Sequence, residues 1–483
     1  MANVVDLLFA TGKHDDPALL IGQRTVSFAE LRDAVAKAAR SVLEASAPGD
    51  RIAILADNGL EFVAAYLGIM ASERIALPMP VAAEVDQVRG WEARFGVRAA
   101  FCDDRRGKTL AAAGVARLTP AQTGAFERHD TEPHTPAAIM LTSGSTGEAK
   151  GVVVSHGNLA ANTGDIADYL ALTPRDRCMV VLPFSYCFGL SLLHTHLARG
   201  ASLVLNNAFL FVERVLDEIV TTQCTTLAGV PATYQLLLRR STFLERKLTT
   251  LRALQQAGGR LPRESILEIT RALPWARFFV MYGQTEATAR LSYLPPERLA
   301  DKLGSIGRGL ASTGLEVLRE DGSPIAPGSE EVGEVVASGP AIALGYWDDP
   351  EESARYFRAG RLFTGDLARV DADGFVFLVD RARDFLKVMG VRISPSEIEA
   401  VIAGMPEIAE VAVVGVADEE SGEAVLAAVV PVGDRGCDPE AVRDYCNARL
   451  PNVKVPKHVV VVDALPRTAN GKIAKQVLRR LSS

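Results

Sequence analysis

Met140-Leu141-Thr142-Ser143-Gly144-Ser145-Thr146-Gly147-Glu148-Ala149-Lys150-Gly151 is the stretch around which the rest of the chain reads. It follows the apolar run Ala137-Ala138-Ile139 and leads into Val152-Val153-Val154, so hydroxyls, glycines and one lysine are packed between two β-like runs. Glycine lets successive backbone N–H groups turn inward around an anion, Ser and Thr add donors, and Lys150 adds a mobile positive charge. That is the make-up of a polyphosphate cradle. It differs from the Walker loop, because the lysine follows Gly147 by three residues and precedes Gly151 rather than Ser or Thr. By local composition a flexible surface turn fits equally well. The rest of the chain decides between them.

At 483 residues the chain is long enough for two or three domains, and 48% hydrophobic with 23% charged residues is an ordinary globular composition. A net charge of -7 without a basic run gives no support to nucleic-acid binding. The six cysteines, Cys102, Cys178, Cys187, Cys224, Cys437 and Cys446, are scattered without a C-x-x-C, which argues for free thiols in a reducing compartment rather than structural zinc. The first residues lack a basic n-region, and no apolar run approaches the ~20 residues that cross a bilayer, so the expected location is cytoplasmic.

Taken in order, Val26-Ser27-Phe28-Ala29-Glu30-Leu31 is a capping box with Ser27 as N-cap and Glu30 at N3. The helix it opens should bury Leu31, Val35, Ala38, Ala39 and Val42. Short apolar strands at 52–55, 75–78, 179–182, 202–205, 226–230, 251–255 and 278–281 alternate with helical stretches, the pattern of parallel sheets covered on both faces. The expected fold class is therefore α/β, and ligands of such sheets sit beyond the carboxyl ends of the strands. From Gly304 the texture changes to short strands with the turns Asp321-Gly322 and Asp373-Gly374, which predicts an antiparallel, β-barrel-like piece. Beyond residues 380–384 a small α+β tail follows, with a second predicted capping box, Ser394 with Glu397, and Pro395 at the first helical position.

Three further clusters carry chemistry. In Met281-Tyr282-Gly283-Gln284-Thr285-Glu286-Ala287-Thr288 a carboxylate just after a strand suits a divalent ion bridging phosphates, and the tyrosine can stack on a purine. Asp366 in Phe363-Thr364-Gly365-Asp366-Leu367 has the reach to hold both hydroxyls of a ribose. Pro466 and Gly471 in Leu465-Pro466-Arg467-Thr468-Ala469-Asn470-Gly471-Lys472-Ile473 frame a loop that presents one lysine. Taken singly, the Glu286 stretch reads better as a turn with an exposed carboxylate, Asp366 also fits a solvated turn, and the lysine loop points to nothing by itself.

In this order and spacing the four segments resemble the adenylate-forming superfamily of acyl-CoA synthetases, peptide-synthetase adenylation domains and firefly luciferase, over nearly the whole chain. The resemblance implies a large N-terminal domain, residues 1–380, and a small mobile C-terminal domain, residues 384–483, with a hinge near 381–384 at Arg383. It implies Lys472, Glu286 and Thr142 as catalytic groups, Glu286 also holding Mg2+. It implies an ATP and AMP site from Thr142, Ser143, Gly144, Ser145, Thr146, Gly147, Lys150, Gly258, Gly259, Tyr282, Gly283, Gln284, Thr285, Asp366 and Arg381. Ala149 stands where proline is usual, and Asp380 where glycine is usual. After rotation of the small domain, Lys387, Gly390 and Arg392 would face the CoA or phosphopantetheine thiol.

The acid should sit against Phe184, Tyr186 and Phe188 and the strand ends at Ala228, Gly229 and Ala257. No acidic residue occurs from Pro183 to Leu190. Burying a substrate ammonium there unpaired would be costly, so an α-amino acid is disfavoured and an apolar acyl or aryl tail favoured, although the three aromatics also fit core packing. His156, His194 and His196 are expected to be structural, and Cys187 a small buried residue. The activity expected is ATP-dependent conversion of a carboxylic acid to its acyl-adenylate and then to a CoA thioester. The alternatives are loading of a holo carrier protein and, remotely, a non-catalytic nucleotide sensor.

Overall fold

The computed structural model describes residues 3–125, 131–143, 149–381, 385–389, 391–418, 421–433, 436–467 and 473–482. The chain forms two compact units: Met1–Gly258 with Leu267–Leu315 and Ala337–Phe363, and Gly259–Ile266 with Glu316–Val336 and Thr364–Ser483.

The first unit is built on two sheets. In the nine-stranded sheet, Arg277–Tyr282, Ala253–Gln256, Thr226–Gly229, Arg177–Val180, Ser202–Leu205 and Pro17–Ile21 lie parallel in that order. Antiparallel strands flank them, Ser292–Leu294 and Arg308–Gly309 on one side and Arg24–Ser27 on the other. The seven-stranded sheet has parallel Pro136–Ser143, Ile75–Pro78, Arg51–Leu55, Val97–Cys102 and Arg117–Leu118, with antiparallel Ala149–Ser155 and Gly345–Tyr346 added at one edge. The centres of both sheets are parallel, as expected, and antiparallel strands are added at their edges. Antiparallel strands at the edges need only short connections, which an alternation of strands and helices does not reveal.

Strand periodicity explains the layering. Ile52 and Ile54 point into one apolar core and Ala53 and Leu55 into another on the opposite face. The first core takes side chains from both sheets and from the helices Leu60–Ala71 and Cys187–Ala198. Those two helices are apolar around nearly their whole circumference and buried accordingly. The helix Phe28–Ala45 starts on the predicted capping box, with both reciprocal bonds between Ser27 and Glu30 at 3.1 Å, and buries the predicted face.

In the second unit residues 364–370 pair antiparallel with Val376–Arg381, turning through Asp373-Gly374. From Leu386 onward the chain packs two apolar clusters made only of its own residues, around the long antiparallel pair Ile408–Asp418 and Gly422–Pro431. The predicted capping box at Ser394 does not form. The Ser394 hydroxyl donates to Asp380 Oδ2 at 2.8 Å, the Ser396 N–H donates to the same oxygen at 3.3 Å, and Glu397 pairs with Lys454 at 2.7 Å. Asp380 therefore caps the helix Pro395–Ile402 from outside its own sequence, and a tertiary carboxylate outcompetes the local one.

Candidate active site

Lys150 and Thr142 are paired across adjacent antiparallel strands, so the phosphate-loop stretch is a β-hairpin rather than a strand-to-helix turn. Gly144, Ser145, Thr146 and Gly147 lie outside the described residues, as do Arg383, Gly390 and Lys472. Ser143 closes the first strand opposite Ala149. The Lys150 ammonium forms a largely buried ion pair with Glu352 and sits 5.3 Å from the Tyr346 ring centre and 5.8 Å from that of Tyr356. An ammonium over aromatic faces gains from the ring quadrupole once water is excluded.

Glu286 stands on the single 3₁₀ turn Thr285–Ala287, just past the carboxyl end of the strand Arg277–Tyr282. Its Oε1 accepts the Tyr346 hydroxyl at 2.9 Å, and its backbone carbonyl accepts the Ala343 N–H at 3.0 Å. Tyr346 thus touches both the motif glutamate and the loop lysine and brings the two segments into one site. Burial, reinforced by the neighbouring Glu286 carboxylate, pushes the Tyr346 hydroxyl well above its usual range, so it is a fixed donor.

The backbone of this segment is held tightly. A Cβ on Gly283 would meet the Ala289 carbonyl oxygen at 2.1 Å, so only glycine fits there. Thr288 has φ +64° and ψ -62°, and the Ala289 N–H donates to the Ala287 carbonyl at 2.6 Å, a γ-turn. Such strain persists only where neighbours impose it, and the Thr288 hydroxyl is anchored on the Ala341 carbonyl at 2.8 Å. The Thr285 hydroxyl donates to Cys187 Sγ at 3.4 Å, while Tyr282 is buried and Gln284 and Gly283 are half-buried. Gly258 takes φ +84°, and a Cβ there would lie 2.9 Å from the Tyr186 hydroxyl.

In the second unit Asp366 lies directly opposite Arg381 in the antiparallel pair, so the two candidate ribose residues share one register position. Gly365 has φ +72° and its N–H donates to Glu334 Oε1 at 2.9 Å, the Thr364 hydroxyl donates to the Val335 carbonyl at 2.7 Å, and the Asp366 N–H donates to Thr364 Oγ1 at 3.1 Å. Gly259 belongs to this unit. Lys387 and Arg392 pair across the two short strands Leu386–Val388 and Val391–Ile393.

Of the candidate acid-pocket residues, Phe184 is fully buried with its ring 5.5 Å from Phe62, a core contact. Tyr186 and Phe188 meet edge to face at 6.4 Å at the start of the buried helix. Ala228 and Ala257 are buried in the same core, and Gly229 packs under Thr233. The three histidines are buried and neutral: burial lowers His156 to about 4, His194 to about 3 and His196 to about 4. The His196 Nδ1–H donates to the Leu192 carbonyl at 2.9 Å, His194 Nε2 meets the Tyr66 hydroxyl at 3.1 Å, and His156 Nδ1 accepts the Val4 N–H at 3.3 Å.

Among the described residues no three His, Cys, Asp or Glu side chains cluster as a metal cage. One carboxylate with Oε1 engaged by a tyrosine and the other oxygen free suits Mg2+, which keeps most of its shell as water and phosphate oxygens. Sequence reasoning missed Tyr346, Glu352 and Tyr356. Tyr346 lies 60 positions from Glu286 and Glu352 lies 202 from Lys150, and Gly345-Tyr346-Trp347 carries no pattern that marks it.

The fold and the cluster of Lys150, Tyr346 and Glu286 fit an ATP-using ligase that activates a carboxylic acid as its adenylate. The signature of the AMP-binding enzyme family matches residues 9–347, and that of the AMP-binding enzyme C-terminal domain matches residues 397–472. The chain belongs to this family, the adenylate-forming superfamily, and within it to the AMP-forming acid–thiol ligases. It is 32% identical to a feruloyl-CoA synthase of Amycolatopsis sp over 95% of this chain and 94% of that protein. It is 29% identical to the fatty acid–[acyl-carrier-protein] ligase ScoC of Streptomyces coeruleorubidus, over 96% and 93% respectively. It also resembles the structure of the o-succinylbenzoate coenzyme A synthetase MenE from Bacillus subtilis in complex with ATP and magnesium ion, at TM-score 0.88 and 28% identity, covering 99% of both chains. No helix among the described residues is long and apolar enough to cross a membrane.

Proposed function

We propose that this protein converts a carboxylic acid, ATP and CoA to an acyl-CoA, AMP and pyrophosphate through an acyl-adenylate. The observation that carries the reading is the single tyrosine, Tyr346, that joins the loop lysine to the motif glutamate. Both acid and ATP are anions, so the site has to bring them together and stabilise the charge that builds on the α-phosphate. Lys150 and the loop from Thr142 to Gly147 hold the β and γ phosphates, with the ATP phosphates competing with Glu352 for the lysine. Asp366 and Arg381 hold the ribose, and Tyr282 the adenine. Mg2+ bound at Glu286 supplies charge neutralisation for the departing pyrophosphate. An oxygen of the acid attacks the α-phosphorus in line as pyrophosphate leaves, with Lys472 bridging the two reacting groups. The thiol sulfur then attacks the acyl carbon and AMP departs. We place the domain boundary at 381–384, with Arg383 as the hinge and Lys387, Gly390 and Arg392 on the thiol side. The separate apolar clusters beyond Leu386 support it. We read the compartment as cytoplasmic, supported by six cysteines that are all free thiols.

The ScoC relative favours one second reading, transfer to a carrier-protein phosphopantetheine. A pyrophosphate-release screen over carboxylic acids, run with CoA and then with a holo carrier protein, separates the two by which thiol becomes acylated. Lys472→Ala is expected to lower adenylate formation by about 100-fold or more while leaving the ATP Kd within about twofold, because the lysine acts mainly in the transition state. Acid-dependent pyrophosphate release at the wild-type rate in that variant removes the assignment.

A further inference from the structure

Two polar side chains, Arg290 and Gln255, keep unpartnered atoms inside the apolar layer of the first unit. Arg290 is 1% exposed, and its Nε and Nη2 have no hydrogen-bond partner. Gln255 is 0% exposed, and both its amide atoms are unpartnered. Native interiors rarely leave such groups unpaired, and an isolated charge least of all.

Both stand against the walls assigned to the acid. The Arg290 guanidinium carbon lies 4.6 Å from the centre of the Phe188 ring, and the guanidinium faces the Tyr169 hydroxyl. Its backbone is fixed by Asn162, which accepts the Arg290 N–H at 3.2 Å and donates to the Arg290 carbonyl at 2.8 Å. Gln255 lies in register between Ala228 on one neighbouring strand and Phe279 on the other, and Tyr169 packs on Phe279 at 5.8 Å. Arg290 and Gln255 thus bracket one aromatic wall. No carboxylate faces Arg290 among the described residues.

The free nitrogens are informative. Nε–H and the adjacent Nη2–H point the same way along one edge of the guanidinium plane, the edge that grips a carboxylate through two parallel bonds. We infer that Arg290, with Gln255, reads a second carboxylate at the far end of the substrate, so that the preferred acid is a dicarboxylic acid whose apolar middle lies along Phe188. The inference rests on the adenylation reading and names its substrate class. The aromatic residues then line the middle of the acid rather than its end.

The test measures kcat/KM for acid-dependent pyrophosphate release with the full-length protein, on matched pairs: adipate and hexanoate, suberate and octanoate, 4-carboxycinnamate and cinnamate. Wild type should favour the dicarboxylic member by about 100-fold or more, because a site built to pair a polar group rejects the analogue that lacks it. Arg290→Met should abolish or reverse that preference, chiefly through KM for the dicarboxylic acid, a specificity change that a merely structural arginine would not cause. Should Arg290→Met fail to fold, Gln255→Leu should narrow the preference about tenfold. Equal or better turnover of the monocarboxylic members by wild type overturns the inference while leaving the adenylation reading standing. No pyrophosphate release with any acid overturns the adenylation reading itself.

Discussion

At the residue scale the site turns on side chains that motifs do not contain. Glu286 is legible only when Tyr282-Gly283-Gln284-Thr285-Glu286 is read in order with the phosphate, ribose and lysine segments, because alone the stretch is a turn with an exposed carboxylate. Tyr346 is not legible, since its role exists only once the edge strand Gly345–Tyr346 pairs with Ala149–Ser155 and carries the ring across to the glutamate. Such a partner orients a metal-holding carboxylate, and its loss typically weakens metal affinity about tenfold or more. Tyr346→Phe should therefore raise the Mg2+ concentration for half-maximal pyrophosphate release about tenfold, with the ATP Kd measured without Mg2+ little changed. Superimposable magnesium titrations for the variant and wild type would exclude the role. Arg290 and Gln255 belong to the same class: their type and position are plain in the sequence, but only packing reveals that Arg290 Nε and Nη2 and the Gln255 amide are buried without partners.

At the element scale most strands and helices follow from periodicity, and the departures have a common cause. The capping box at Ser27 formed because its two members are local, and Arg24, 3.6 Å from Glu30 Oε1, leaves Oε2 to accept the Ser27 N–H. The one predicted at Ser394 did not, because Asp380 supplies an acceptor from another strand and Lys454 draws Glu397 away. Asp380 therefore holds the first turn of the helix Pro395–Ile402. Asp380→Ala should cost about 1 kcal/mol locally, as for loss of an N-cap. Hydrogen exchange should show the 396–402 amides exchanging faster, with those of the strand Arg277–Tyr282 unchanged. Uniform protection of both segments in the variant would refute the capping role. The mixed sheets follow the same logic: the hairpin of Pro136–Ser143 with Ala149–Ser155 depends on which strands pair, and pairing is not a local property.

At the scale of the whole molecule, three neutral histidines lie within the core. Each has a folded value near 3 or 4 against an ordinary value of 6.5, so the unfolded chain takes up protons that the native state refuses. Their contribution to stability is complete above about pH 6.5 and is lost as the pH falls through about 4, at about 1.4 kcal/mol per pH unit for each histidine. Asp176 extends the loss further down. Its burial opposes ionisation, but bonds from Arg252, Thr173 and Thr225 hold it at about 2, so its share goes as the pH falls from about 3.8 to about 2. Urea midpoints should fall steeply between pH 6.5 and 4.5, and His194→Phe should flatten that slope by about a third. A midpoint that does not change over that range would show that the histidines are not neutral in the folded state. The sequence by itself determined the α/β class, the order of the candidate phosphate, magnesium, ribose and lysine segments, and the buried faces of the helices. These are written in local periodicity and in the order and spacing of glycine-, carboxylate- and lysine-bearing segments that singly read as ordinary turns. Only the tertiary structure decided the antiparallel edges, the Tyr346 bridge, the Asp380 cap and the unpartnered Nε and Nη2 of Arg290, because each depends on which distant residue arrives first at a polar atom, and that is settled by packing.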